Sequence, residues 1–271
     1  MGFEDGPGAS ESAAKSTAAE ERYRIEREKF DDISAAHDLG PEAVLPADMT
    51  FARMCREDTY LPGMADYVGD LHGKSVLELG CGTGETSVAL ARSGANVSAF
   101  DISPSSIEVA RKRADMNGVA DVTEFVVAAG EDLPYEDGSF DVVIGSAVLH
   151  HLDVDRAGPE TRRVMRPGAL AAFSEPLANN PVVRFARDHV WYPRKSERGT
   201  DVPLRYSDLR AWGEHFDEFT WKEIHLLGMA ERLSGWRWKF YTLHKIDRVV
   251  LDHVAPLRSL ANYSVIFARR A

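Results

Sequence analysis

Val76-Leu77-Glu78-Leu79-Gly80-Cys81-Gly82-Thr83-Gly84 is an apolar run that stops in three closely spaced glycines. Residues 76–79 have the length and composition of a short buried strand. Residues 86–93 (TSVALARS) read as a helix that Gly94 ends by taking the left-handed position just past its C-terminus. Gly80, Gly82 and Gly84 therefore line a strand-to-helix turn. Without Cβ atoms they allow dihedrals closed to other residues and let a ligand rest on the backbone near the positive end of the helix dipole. A bare tight turn would use the same glycines, so the neighbouring residues must decide between the two.

A dinucleotide fingerprint, G-x-G-x-x-G/A, needs Gly or Ala at position 85 for close helix packing. That position holds Glu85, and the glycines alternate instead. Alternation, with the acid Glu78 two residues before the first glycine, resembles the small-molecule branch of the class I S-adenosylmethionine-dependent methyltransferases rather than nicotinamide dehydrogenases. The resemblance implies that S-adenosylmethionine is the cofactor. It puts Glu78 near the methionine ammonium, directly or through water, and Gly80, Cys81, Gly82, Thr83 and Gly84 around the ligand. A second strand, 96–100, ends in Asp101 about 20 residues past Gly80, the spacing at which a strand-end acid reaches ribose hydroxyls, with Ile102 beside it. Helix capping is the competing role for Asp101. Ser103 and Pro104, however, already supply a cap and a first-turn proline for a helix over 104–117.

Further matches fall at the ends of the next strands, where open α/β sheets hold their ligands. Strand 122–127 runs into Ala129-Gly130-Glu131, and the resemblance implies that the backbone of Ala129 and Gly130 faces the adenine ring. Ala129 stands where many members of that family carry a carboxylate or amide, which leaves adenine recognition to main-chain groups or to Glu131. Strand 140–146 ends at Ser146 and is followed by Ala147-Val148-Leu149-His150-His151-Leu152; in the family this end faces both sulfonium and acceptor. Residues 163–170 resemble the family's turn into strand five, with Ala169 where a second glycine is usual. The resemblance covers 74–181 and implies a Rossmann-like α/β fold: a seven-stranded, mostly parallel sheet of order 3-2-1-4-5-7-6 with strand seven antiparallel. Strands six and seven are expected at 219–224 and 263–268.

Methyl transfer from a sulfonium asks mainly for alignment. An O- or N-acceptor also needs a proton removed, a task that suits histidine, whereas a carbon acceptor needs an electron-rich alkene or ring and a base for later proton loss. His150 and His151 lie where the acceptor should arrive, and Glu175 lies at the neighbouring strand end as orienter or base. Adjacent residues point in different directions, so at most one histidine should face the pocket. No metal is expected. Residues 175–181 (EPLANNP) are not the N/D-P-P-Y/F segment of enzymes that methylate exocyclic amines; they resemble the E-P-L…N-P segment of small-molecule methyltransferases.

The chain of 271 residues fits one α/β domain with appended helices. Its formal net charge of −11 argues against a nucleic-acid partner. Two cysteines, Cys55 and Cys81, are too few for a disulfide framework, no signal segment opens the chain and no run of 18 apolar residues occurs, so a cytoplasmic protein off the membrane is expected. Residues 1–19 are expected to be disordered, and 20–72 to form a helical lid. Within the lid a helix with an apolar stripe of Tyr23, Phe30 and Ile33 covers the site, packs on the flank of the core, or packs against a second copy in a homo-oligomer. The methyltransferase domain would span 73–271, with an acceptor-pocket insertion near 176–215 and a helical insertion near 228–256. Trp191, Tyr192 and Tyr206 join Tyr23 and Phe30 as candidates to wall a small, rather apolar substrate. Two other readings stand beside this one: a nicotinamide-dependent oxidoreductase, disfavoured by Glu85 and the lack of a Tyr-x-x-x-Lys pair, and a non-catalytic cofactor-binding regulatory subunit.

Overall fold

Strand β1 (Ser75–Leu79) alternates between two covered faces. Val76 and Glu78 face helix α4 (Glu85–Arg92), Leu77 and Leu79 face the opposite layer, and all four are buried. A strand covered on both sides needs apolar residues on both, which is why the run scarcely alternates in polarity. In this computed structural model the described residues are 7–35, 39–181, 185, 202–227 and 241–271, with side chains in the first helix from residue 20.

Around β1 gather β2 (Asn96–Asp101), β3 (Thr123–Val127), β4 (Phe140–Ser146), β5 (Met165–Pro176), β6 (Glu218–Ile224) and β7 (Tyr263–Arg269) in one seven-stranded sheet of order β3-β2-β1-β4-β5-β7-β6. Strands β1 to β5 pair in parallel. β7 runs antiparallel between β5 and β6, its Ile266 opposite both Phe173 and Trp221. This is the order that the sequence resemblance implies.

Helices α2 (Phe51–Glu57), α3 (Met64–Val68), α4 and α5 (Pro104–Met116) bury Phe51, Met64, Val88 and Ile107 against one face. Helices α6 (Val154–Val164) and α7 (Tyr206–Gly213) cover the other, where Trp212 meets Phe173 edge-on at 5.2 Å. Helix α8 (Tyr241–His253) is the described part of the expected insertion at 228–256. Ser103 caps α5 by accepting from the Ser106 amide at 3.0 Å.

Three expectations change. Helix α1 spans Pro7–Ala35, so 7–19 are helical, not disordered: alanine, glutamate and lysine extend a helix readily once it is nucleated. The inward face of α1 is Tyr23, Glu26, Phe30 and Ser34, whereas Ile33 is 50% exposed. Polar groups are buried there because α1 lies on polar ground. Asp31 accepts from the Ser103 hydroxyl at 2.5 Å and the Ser105 amide at 3.1 Å, and the Ser34 and Ser106 hydroxyls meet at 2.7 Å. Finally, within the region 20–72 expected to form a lid, Phe51, Cys55, Met64 and Val68 make α2 and α3 part of the core, which leaves α1 as the helix that borders the cavity.

Candidate active site

The carboxyl ends of β1, β2 and β4 and the loop after β3 enclose a cavity of about 230 Å³ roofed by α1. A more open depression around Lys74, Arg166 and Gly168 lies at the opposite, amino ends of β1, β4 and β5. Ligands in such sheets sit at the carboxyl ends, so the cavity under α1 is the candidate site.

Gly80 and Gly82 form its floor, both left-handed (φ 63° and 48°). A Cβ on Gly82 would meet nothing within 4 Å, so this glycine opens the backbone to whatever fills the cavity. Asp101 and Ile102 continue the wall. One Asp101 oxygen accepts from the Gly82 amide and the other from Ser103, each at 2.9 Å, so the acid braces the glycine turn and still borders the cavity. Burial raises its pKa, opposed by those two amide bonds.

Ala129, Gly130 and Glu131 supply the third side. Glu131 is buried; its Oε1 accepts from Arg22 of α1 and from the Asp153 amide at 2.8 Å, while Oε2 has no hydrogen-bond partner among the described residues. Tyr23 adjoins it, its phenol pKa raised by burial and by the Glu131 charge.

The fourth side is the turn after β4. Ser146 lines the cavity, and Ala147 takes a strained φ of 53°. Buried Glu175 at the end of β5 holds this turn by accepting from the Val148 and Leu149 amides, each at 2.8 Å, and by contacting His150 Nδ1 at 2.8 Å. That contact turns His150 away from the cavity and leaves His151 on the wall, 4.0 Å from it ring to ring. Glu26 and Phe30 of α1 close over His151: Glu26 Oε1 is 3.3 Å from Nδ1, and the Phe30 ring meets the imidazole edge-on at 5.4 Å.

Several predicted residues frame the site without lining it. Glu78 is buried behind the glycine turn, takes the Ser87 hydroxyl, and has its pKa raised by burial to about 8. Cys81 is a buried free thiol whose amide donates to Phe100, the Thr83 carbonyl accepts from Arg113 at 2.8 Å, and Gly84 gives α4 its close approach to Ala110. Tyr206 lies apart, its hydroxyl donating to Glu223 at 3.1 Å. Trp191 and Tyr192 fall outside the described residues. Val148 and Leu152, in the segment after β4 that the resemblance marks, also line the wall, as do Phe100, Ala128 and Glu26, which no sequence motif marks. For Glu26 a signal exists: it stands three residues after Tyr23 and four before Phe30, on one helical face. Elsewhere His225, His244 and Asp247 place one potential ligand atom each within 4.8 Å of one another, while Asp247 also accepts from the Leu226 and Leu227 amides.

A family profile described as a methyltransferase domain matches residues 77–173. A demethylmenaquinone methyltransferase of Clavibacter sepedonicus is 35% identical over 208 residues, covering 76% of this chain and 78% of that relative. A ubiquinone/menaquinone biosynthesis C-methyltransferase of Hahella chejuensis (strain KCTC 2396) is 35% identical over 167 residues, covering 59% of this chain and 63% of the relative. Among solved structures, geranyl diphosphate C-methyltransferase from Streptomyces coelicolor A3(2) aligns with a TM-score of 0.57 at 14% identity, over 92% of this chain and 98% of that one.

Proposed function

This chain belongs to the class I S-adenosylmethionine-dependent methyltransferases, and from that premise we propose that its acceptor is a small, apolar ring compound carrying hydroxyl groups, with His151 taking the hydroxyl proton. The observation that carries the acceptor class is the 35% identity over 208 residues to an enzyme named for a quinone substrate. The nicotinamide-dependent and non-catalytic readings gain no support from these relatives.

When bound, S-adenosylmethionine supplies a methyl group on a sulfonium, already activated for in-line displacement. The residues present fit it. Gly82 offers bare backbone, Asp101 keeps spare lone pairs for ribose hydroxyls beside its two amide bonds, and Glu131 brings a carboxylate to the cavity wall beside Ala129 and Gly130. Ala129 and Gly130 give main-chain groups to the adenine edge, and Glu78 lies behind the turn as a buried carboxyl that a nearby ammonium would favour in its ionised form. On the acceptor side, His151 is the titratable side chain at the end of β4. Accepting the hydroxyl proton raises electron density on the oxygen, or on the ring carbon conjugated to it, at the moment the methyl group moves. Glu175 acts one step back, fixing the turn that aims His151.

The helices of the described residues include none long and apolar enough to cross a membrane. The acidic charge and two buried free cysteines support action in the cytoplasm on a metabolite rather than on nucleic acid.

The test is mass spectrometry with methyl-labelled cofactor and chemically reduced demethylmenaquinone. One labelled methyl group should appear on the ring or its oxygen, and an analogue with both hydroxyls masked should gain none. Transfer to amines alone, with hydroxylated rings untouched, would refute the acceptor class.

A further inference from the structure

Glu26 is a buried carboxylate on a helix held mainly by polar ties, among them Arg22 to Glu131, Asp31 to Ser103 and Ser34 to Ser106. Its side chain is 8% exposed and lies against one cation-forming group, His151, with Oε1 at 3.3 Å from Nδ1. Both residues wall the cavity, and Phe30, one turn further along α1, holds the imidazole from the side. A carboxylate on one ring nitrogen fixes the proton there and leaves the other as the basic lone pair. We propose that Glu26 is a positioning residue supplied by the lid: its carboxylate accepts from His151 Nδ1–H, fixes the tautomer with Nε2 basic, and stabilises the imidazolium formed when Nε2 takes the acceptor's proton. The base is complete only when α1 is seated.

The inference rests on the reading of His151 as proton acceptor. In the step, the acceptor O–H bond breaks with its electron pair left on oxygen, and an N–H bond forms at Nε2. The S–CH3 bond breaks with its pair going to sulfur as the methyl group bonds the acceptor. Glu26 keeps its charge throughout and gives up no proton. A distance of 3.3 Å is long for such a bond, in keeping with sites that tighten once ligands are bound.

The charged and titratable groups around His151 come from four elements. Glu26 faces it from α1 and Asp101 from the end of β2. His150, its ring neighbour, is tied to Glu175 of β5. Arg22 is engaged by Glu131 on the loop after β3, across the cavity. Among these carboxylates, Glu26 is the one in hydrogen-bond contact with the His151 ring.

Two variants separate charge from hydrogen bonding. Glu26→Gln keeps an acceptor and removes the charge; Glu26→Ala removes both. In nitrogen-15 spectra of the full chain saturated with S-adenosylhomocysteine, His151 should titrate at lower pH in Glu26→Gln with its tautomer kept. In Glu26→Ala it should lose the single tautomer as well. With reduced demethylmenaquinone, turnover should fall by about tenfold or more in Glu26→Ala, and the acid limb of the pH profile should move to lower pH in Glu26→Gln. The dissociation constant for S-adenosylhomocysteine should stay within about threefold, and Glu26→Ala should add nothing to His151→Ala. An unmoved His151 titration in both variants overturns the role of Glu26, whatever the activity. Loss of cofactor binding in step with turnover overturns it too, because Glu26 would then be a structural part of the roof. A harmless His151→Ala instead overturns the proton-acceptor reading beneath it, a result distinct from the other two.

Discussion

Gly82 and Gly84 are both left-handed, yet they answer to different neighbours. A Cβ on Gly82 would project into open cavity, whereas one on Gly84 would come within 2.9 Å of the Ala110 Cβ. Gly82→Val should therefore abolish S-adenosylhomocysteine binding in calorimetry while leaving a folded protein, and Gly84→Val should lower the melting temperature by separating α4 from α5. Asp101→Ala should weaken cofactor binding by about 1.5–3 kcal/mol, the usual worth of hydrogen bonds to a charged group, with Asp101→Asn recovering part of it. An unchanged dissociation constant in the alanine variant would reduce Asp101 to a brace for the glycine turn. For Glu78, burial raises the pKa to about 8 from an ordinary 4.5, so across this window the folded chain holds a proton that the unfolded chain releases. Its contribution to stability is complete below pH 4.5 and is lost as pH rises toward 8. Glu78→Gln, which resembles the protonated acid, should match the parent near pH 5 and exceed it by roughly 1–3 kcal/mol near pH 8 in denaturant melts without cofactor. An advantage that grows toward acid would mean that Glu78 is ionised in the fold.

Helix α1 gathers its functional contacts on one face: Arg22 to Glu131, Glu26 to His151, Asp31 to Ser103 and Ser105, and Ser34 to Ser106. Its other face carries an exposed ion-pair ladder in which Arg24 meets Glu21 and Glu28, contacts of small worth. A helix built this way roofs the cavity without holding the sheet together. Deleting residues 1–36 should thus leave a folded core that binds cofactor weakly and turns over hardly at all, since an open site admits water and misaligns the acceptor. Circular dichroism, calorimetry and turnover measured on the same preparation check the three parts of that statement. A shift on a sizing column after deletion would show that α1 also joins two copies of the chain, while a core that fails to fold would make α1 structural.

Across the whole molecule, what is legible in the sequence is what local pattern decides. β4 reads residue for residue at 140–146, and β1, β2, β6 and β7 within one residue at either end, because apolar runs bounded by glycines, Asp101 or turn residues admit few alternatives. The glycine floor, Asp101 and the 129–131 wall are legible because backbone motifs sit at fixed spacing. The choice between His150 and His151 is not, since it depends on Glu175, 25 residues on, gripping the turn after β4. Nor is the inward face of α1, where burial is polar and hydrophobic periodicity points to Ile33 instead. The same contrast sets how stability is distributed. Central strands β1, β4 and β5 are covered on both faces, so their amides should exchange with solvent only through global unfolding. The residues of α1 facing the cavity are anchored by polar ties and the half-buried Tyr23 and Phe30, so that helix should open locally at far lower cost. A ligand held between α1 and the sheet links the two. S-adenosylhomocysteine at 100 times its dissociation constant should stabilise the closed helix by up to about 2.7 kcal/mol, slowing exchange at 20–35 by as much as about a hundredfold. Exchange in α1 that is already as slow as in β4 without ligand would show a roof that does not open. Exchange that the ligand leaves unchanged would show that cofactor binding does not depend on α1, and the tie between Glu26 and His151 would then have to form independently of the cofactor.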